Sequence, residues 1–217
     1  MAGVAAFDLD GTLVDTAADI CLHVNGALSD AGRAPLPEET IRPFIGRGAA
    51  NLVQRVTQGA GDDVAAQVLA GFRRRYLERP VVSSSVYPGA ADALRRLGER
   101  GVRRVVVTNK PHEVSVRVLE LLGLAPLLER IRGATEGVPH KPAPQMLAAA
   151  VAPAGPSSTV MVGDSVVDLE TALAFGARFV GVAHGMDRGA GLAGRGIALE
   201  QTLSGVAERV LGLLGAA

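Results

Sequence analysis

The chain changes its hydrophobic rhythm partway along. It begins with a short unbroken apolar run, Val4-Ala5-Ala6-Phe7, that ends in Asp-Leu-Asp-Gly-Thr. A continuous apolar run closed by a turn signal predicts a buried strand. From about Thr16 to Arg79 the apolar residues recur at helical spacing. They are Ile20, Val24, Ala27 and Leu28, then Leu52, Val53 and Val56, then Val64, Val68, Leu69 and Phe72. Pro35, Pro37, Pro43, Gly46 and the stretch from Gly59 to Gly61 punctuate them, so this region is predicted to be all-helical.

After Pro88-Gly89, strand and helix alternate. Helices are expected from Ala90 to Arg100, His112 to Leu122, Pro144 to Val151, Val166 to Phe175 and Leu203 to Leu214. Gly101, Gly123 and Gly176 stand where three of them stop. Strands are expected from Arg104 to Thr108, Ile131 to Ala134, Thr159 to Val162 and Phe179 to Val182, and a glycine-rich loop from Gly189 to Gly196. Apolar strands without alternation, separated by helices, imply a parallel sheet covered on both faces. Right-handed crossovers make it a doubly wound, Rossmann-like α/β core. Residues 1–15 and 82–217 would form that core, and residues 16–81 an all-helical insertion.

Composition narrows the function classes. The chain has 217 residues, enough for one domain with a large insertion. Its formal net charge of zero argues against a nucleic-acid or anionic-membrane partner. No stretch approaches the roughly 18 apolar residues of a membrane span, and the N-terminus lacks the basic start of an export signal. One cysteine, Cys21, fits a reducing cytoplasm. Of 22 basic residues only Lys110 and Lys141 are lysines. A lysine supplies a compact point charge that arginine's planar fork cannot replace, so both are suspects. For Lys110 the alternative is chance, and it is assigned no role.

Ligands of doubly wound folds bind outside the carboxyl ends of the strands. The first strand delivers Asp8 and Asp10 there, the second Thr108 and Asn109. The next unit supplies His140 and Lys141, and the following strand Gly163, Asp164 and Ser165. In extended chain Asp8 and Asp10 share a face. Like charges so close call for a cation or a shared proton, and a hard divalent metal suits oxygen ligands. Gly11 lets the backbone turn and approach a ligand. The plainer alternative, a surface turn, is weakened by the buried strand before it and by a third carboxylate at Asp164. Asp164 or Ser165 also fits a helix cap, and Asp168 fits an acid in a first helical turn; both are compatible with metal binding. Thr108 and Asn109, just before a helix, form an oxyanion-binding arrangement.

FDLDGTLVDT, VVVTNK, HKPAPQML and VGDSVVDLETALAFGA resemble, in order, the four motifs of the haloacid dehalogenase-like phosphohydrolases. With RPFIGRGAANLV, the set is most similar to the phosphoglycolate phosphatase group. The helical insertion is similar to that family's cap. The resemblance implies Asp8 as the nucleophile that forms an aspartyl-phosphate, and Asp10 as general acid and then base. It implies Gly11, Thr108, Asn109 and Lys141 as the phosphate-binding groups. Mg²⁺ would be held by Asp8, the Asp10 carbonyl and Asp164, with Asp168 a supporting or alternate ligand. The substrate would be a small phosphorylated metabolite, 2-phosphoglycolate first, with a sugar phosphate, a nucleotide or pyrophosphate as alternatives. A phosphomutase, a phospho-aspartate receiver without turnover and a dehalogenase are the other readings. The receiver is disfavoured by chain length, the dehalogenase by acids it would not need. A monomer or homodimer is expected.

A cap chooses the leaving group. Arg47 and the backbone around Gly46 and Gly48 are the candidates for recognising a second anionic group on the substrate, with a solvated arginine as the alternative for Arg47. Arg73-Arg74-Arg75 reads as a solvated helix face, and His23, His112 and His184 lack metal-ligand spacing.

Overall fold

In the computed structural model, which describes residues 3–215, the first apolar run forms β1 (Val4–Phe7). The chain turns at Gly11, forms a short strand β2 (Val14–Asp15), and enters α1 (Ala17–Asp30), α2 (Glu38–Ile41), α3 (Ala49–Val56) and α4 (Asp62–Glu78). It returns through β3 (Ser85–Val86), antiparallel to β2 with Val14 opposite Val86. This two-stranded ribbon joins the helical insertion to the rest. Its strands are two residues long, too short for a periodicity to show in the sequence.

The remainder alternates as expected: α5 (Ala90–Glu99), β4 (Arg103–Pro111), α6 (His112–Leu121), β5 (Arg130–Ala134), α7 (Gln145–Val151), β6 (Thr159–Gly163), α8 (Val166–Phe175) and β7 (Arg178–Val182). The glycine-rich stretch then holds a short helix, α9 (Ala190–Ala193), where a loop was expected. Asp187 accounts for it: its carboxylate accepts from the N–H groups of Gly189 and Gly191, both at 2.9 Å, and Leu192 is buried beneath. β8 (Leu199–Glu200) and α10 (Leu203–Leu214) complete the chain.

Six strands form one parallel sheet in the order β5-β4-β1-β6-β7-β8. Both faces are covered. Ala5, Phe7, Val106, Val160 and Val162 pack to one side with α5, α6 and α10, while Val4, Ala6, Val105, Val107 and Met161 pack to the other with α7 and α8. That is why the central strands β1, β4 and β6 read as unbroken apolar runs: both of their faces meet helices. The direction of winding reverses between β1 and β6, and ligand crevices of doubly wound sheets open at such a point. Asp8 and Asp164 are the residues that follow these two strands.

The insertion is tied to the sheet at several places. Asp19, wholly buried in α1, accepts hydrogen bonds from the N–H groups of Val82, Ser83 and Ser84 and from the Ser84 hydroxyl, at 2.5 to 2.9 Å. This clamps the returning segment onto the outgoing helix. At the far rim, Arg42 donates to the carbonyls of Met186 (2.9 Å) and Gly185 (3.3 Å).

Candidate active site

Asp8 continues β1, and its N–H donates to the Val162 carbonyl of β6 at 2.9 Å. Gly11 has φ of +87°, a region only glycine enters freely, and allows the turn that follows. A Cβ at Gly11 would overlap the Asp164 carboxylate, and so would one at Gly185. Asp164 therefore sits in a cradle of two glycines. Its oxygens accept from the Thr12 hydroxyl at 3.1 Å and the Met186 N–H at 3.0 Å.

Carboxylate oxygens of Asp8, Asp164 and Asp168 lie within 4.8 Å of one another, and all three residues are buried. Burial pushes the Asp8 carboxyl up to about 7, with Lys141 pulling it down and Asp168 and Asp10 raising it again. Burial, then repulsion from Asp168 and Asp8, lifts Asp164 well above the usual carboxylate range. Such a cluster resists ionising without a cation.

Lys141 is the cation the chain itself provides. Its Nζ lies 2.7 Å from Asp168 Oδ1 and 2.8 Å from Asp8 Oδ1. Burial disfavours the ammonium, but the attraction of Asp168 and Asp8 outweighs it and keeps the group charged. Asp8 Oδ1 is buried and held by its ion pair with Lys141 alone, with no aligned hydrogen bond to it among the described residues. Asp168 does two jobs. Oδ1 holds Lys141, and Oδ2 accepts from the hydroxyl and N–H of Ser165, closing the capping box of α8. A buried carboxylate oxygen that accepts no aligned hydrogen bond, beside the oxygens of Asp164 and Asp168 in an all-oxygen donor set, fits a hard divalent cation.

A family model described as haloacid dehalogenase-like hydrolase matches residues 3–176. The chain belongs to the haloacid dehalogenase-like hydrolases. It is 42% identical over 183 residues to a phosphoglycolate phosphatase of Cereibacter sphaeroides, covering 82% of this chain and 84% of that one. It is 39% identical to a phosphoglycolate phosphatase of Caulobacter vibrioides, covering 82% and 75%. Among solved structures it is similar to a predicted phosphoglycolate phosphatase of Haemophilus somnus, with a TM-score of 0.79, 29% identity and coverage of 85% and 86%.

Within this haloacid dehalogenase-like site the other expected residues fall into distinct places. Asp10 is buried and lines the same cavity as Asp8, but its side chain turns away from the carboxylate cluster. Its Oδ1 accepts from the Thr16 hydroxyl at 2.7 Å and from Lys110 Nζ at 2.8 Å. Thr108 also lines the cavity; its oxygen accepts from the Lys110 N–H at 3.3 Å, which leaves the hydroxyl proton to donate. Asn109 is fully engaged. Its amide donates to the carbonyls of Lys141 (2.9 Å) and Gly46 (3.0 Å) and accepts from the Lys141 N–H at 2.8 Å. It holds the Lys141 loop and the insertion at once. Arg47 is exposed and borders a neighbouring cleft with Asp164, Ser165 and Met186, outside the cavity over Asp8. Thr12, Thr16 and Tyr76 were not foreseen. Both threonines belong to the first motif, DGTLVDT, but their spacing alone names no acceptor.

Proposed function

We propose that this hydrolase is a Mg²⁺-dependent phosphomonoesterase that works through an aspartyl-phosphate on Asp8, with 2-phosphoglycolate as substrate and glycolate and phosphate as products. The observation that carries the reading is the buried Asp8 carboxylate, paired with Lys141, clustered with Asp164 and facing a cavity that the helical insertion covers. The relatives named phosphoglycolate phosphatase support the choice of substrate.

In this reading Asp8 attacks phosphorus, the bond to the leaving oxygen breaks, and Asp10 gives that oxygen a proton. Asp10 then takes a proton from the water that cleaves the acyl phosphate. The Lys141 ammonium and the Thr108 hydroxyl hold the phosphoryl oxygens, work that is mostly positioning and charge stabilisation. Asp8, Asp164 and the Asp10 carbonyl would hold Mg²⁺, with Asp168 fixing Lys141 beside them. When bound, the cation offsets the charge between anionic nucleophile and anionic phosphate. Residues 16–81 act as a cap that excludes water and admits the leaving group, with Asn109 and Arg42 latching it to the core. A cytoplasmic location belongs to the same reading, and a single free cysteine, Cys21, is compatible with it.

The test is phosphate release by purified protein, with Mg²⁺ or with EDTA, over 2-phosphoglycolate, sugar phosphates, nucleotides and pyrophosphate. The expected result is Mg²⁺-dependent release with 2-phosphoglycolate preferred. Release that survives EDTA, or none from any ester, contradicts the proposal.

A further inference from the structure

The chain carries two lysines and 20 arginines, and both lysines are buried at this one site. Lys141 has its role beside Asp8. Lys110 stands on the other side of Asp10, on the wall of the cavity under the insertion. Its Nζ is 2.8 Å from Asp10 Oδ1, 2.6 Å from the Tyr76 hydroxyl, and 4.1 Å from the centre of the Tyr76 ring. An ammonium has three N–H donors, and these contacts engage two. Tyr76 comes from α4 of the insertion and is 2% exposed. Its oxygen accepts from Lys110, so its own proton remains to be donated. Burial, with Asp10 and Asp19 nearby, raises the phenol well above its usual range and keeps that proton in place.

Apart from Thr108 and Asn109 near Asp8 and the backbone of Gly46 and Gly48, the rest of the cavity wall is apolar. Ile20, Ile45, Ala49, Leu52 and Phe72 wall it, and Lys110 is the one basic residue lining it among the described residues. Its free volume is about 30 Å³, which suits a leaving group of few atoms. A carboxylate brought into so apolar a space must meet a cation and donors there.

Resting on the phosphomonoesterase reading above, we propose that Lys110 and Tyr76 together form the subsite for a carboxylate on the leaving group, and so select phosphoesters of short hydroxy acids. Lys110 comes from the core and Tyr76 from the insertion, so the subsite exists only while the insertion lies over the sheet. Lysine suits the place because a point charge fits between Asp10 and the phenol, where a planar guanidinium would displace one of them. The role assigned to Arg47 on sequence passes to Lys110.

The experiment compares kcat/KM for 2-phosphoglycolate with that for ethyl phosphate, which is of similar length and carries a methyl group in place of the carboxylate. It does so in wild type, Lys110→Met, Lys110→Arg and Tyr76→Phe, with Mg²⁺ present. Wild type should prefer 2-phosphoglycolate, and Lys110→Met should lower the ratio of the two values by roughly 100-fold, the scale of a buried charge pair losing one partner. The excess loss should appear as a raised KM for 2-phosphoglycolate. Tyr76→Phe, which keeps the ring, should lower the ratio less, and Lys110→Arg should fail to restore it. If Lys110→Met slows both esters equally, Lys110 serves only to position Asp10 and the proposal is overturned. A wild type that releases phosphate from both esters equally well also overturns it, without Lys110→Met having to fold. A wild type that releases phosphate from no ester overturns the phosphatase reading itself, and this inference falls with it.

Discussion

Asp168 holds Lys141 at 2.7 Å with one oxygen while its other oxygen caps α8 through Ser165. The helix start and the site's lysine are therefore fixed by one carboxylate. Asp168→Asn keeps an oxygen for the cap but loses the charge that anchors Lys141; Asp168→Ala loses both. Both variants should lose at least tenfold in kcat. Asp168→Ala should lose a further ~1 kcal/mol of stability from the missing cap. Urea denaturation beside steady-state kinetics checks the order. Equal destabilisation of the two variants would show that the capping box contributes nothing.

The Asp164 cradle links glycine geometry to metal affinity. Gly11→Ala would place a methyl group against the Asp164 carboxylate and put a side chain at φ of +87°. Added Mg²⁺ at 100 times its dissociation constant should stabilise the wild type by about 2.7 kcal/mol. Gly11→Ala and Asp164→Asn should lose most of that gain at the same Mg²⁺ concentration. Thermal melts with and without Mg²⁺ measure it. An undiminished Mg²⁺ gain in Asp164→Asn would remove Asp164 from the ligand set.

Asp19 gives the joint its own pH dependence. Burial pushes its carboxyl up, but hydrogen bonds from Ser84 and the backbone of Val82, Ser83 and Ser84 outweigh this and hold it below 3.8. A depressed folded value adds stability that is present above pH 3.8 and lost as pH falls through the folded value. Asp19→Asn should cost about 2 to 3 kcal/mol at neutral pH, and the gap to wild type should narrow as pH falls below 4. Denaturation midpoints across that range test it. A gap that stays constant would mean that the Asp19 charge plays no part.

The sheet was legible because its central strands are buried on both sides, which leaves continuous runs such as Val105-Val106-Val107; the two-residue edge strand β8, half-buried, left no such run and was not foreseen. The site was legible because Asp8, Lys141 and Asp164 stand where a strand or its connection ends; Thr108 lies within β4, which runs on to Pro111 rather than stopping at Thr108 as expected. What stayed hidden depends on tertiary contacts. Alternation places Asp10 on the face of Asp8, yet the turn at Gly11 sends its carboxylate to Thr16 and Lys110. The amide of Asn109 looked free for phosphate until the Lys141 loop and Gly46 were seen to fill it. Tyr76 and Lys110 lie 34 residues apart, on a helix and a strand, and no local pattern joins them. The scarcity of lysine drew attention to Lys110 but not to Tyr76.

The proposed chemistry requires Asp8 to carry the phosphoryl group during turnover. The most direct measurement is an acid quench of the wild type turning over 2-phosphoglycolate with Mg²⁺, followed by peptide mass spectrometry. One phosphoryl group should appear on the peptide that contains Asp8 and be absent from Asp8→Asn, which should also release no phosphate. Phosphate release by Asp8→Asn at the wild-type rate, or a phosphoryl group on a different residue, would contradict it.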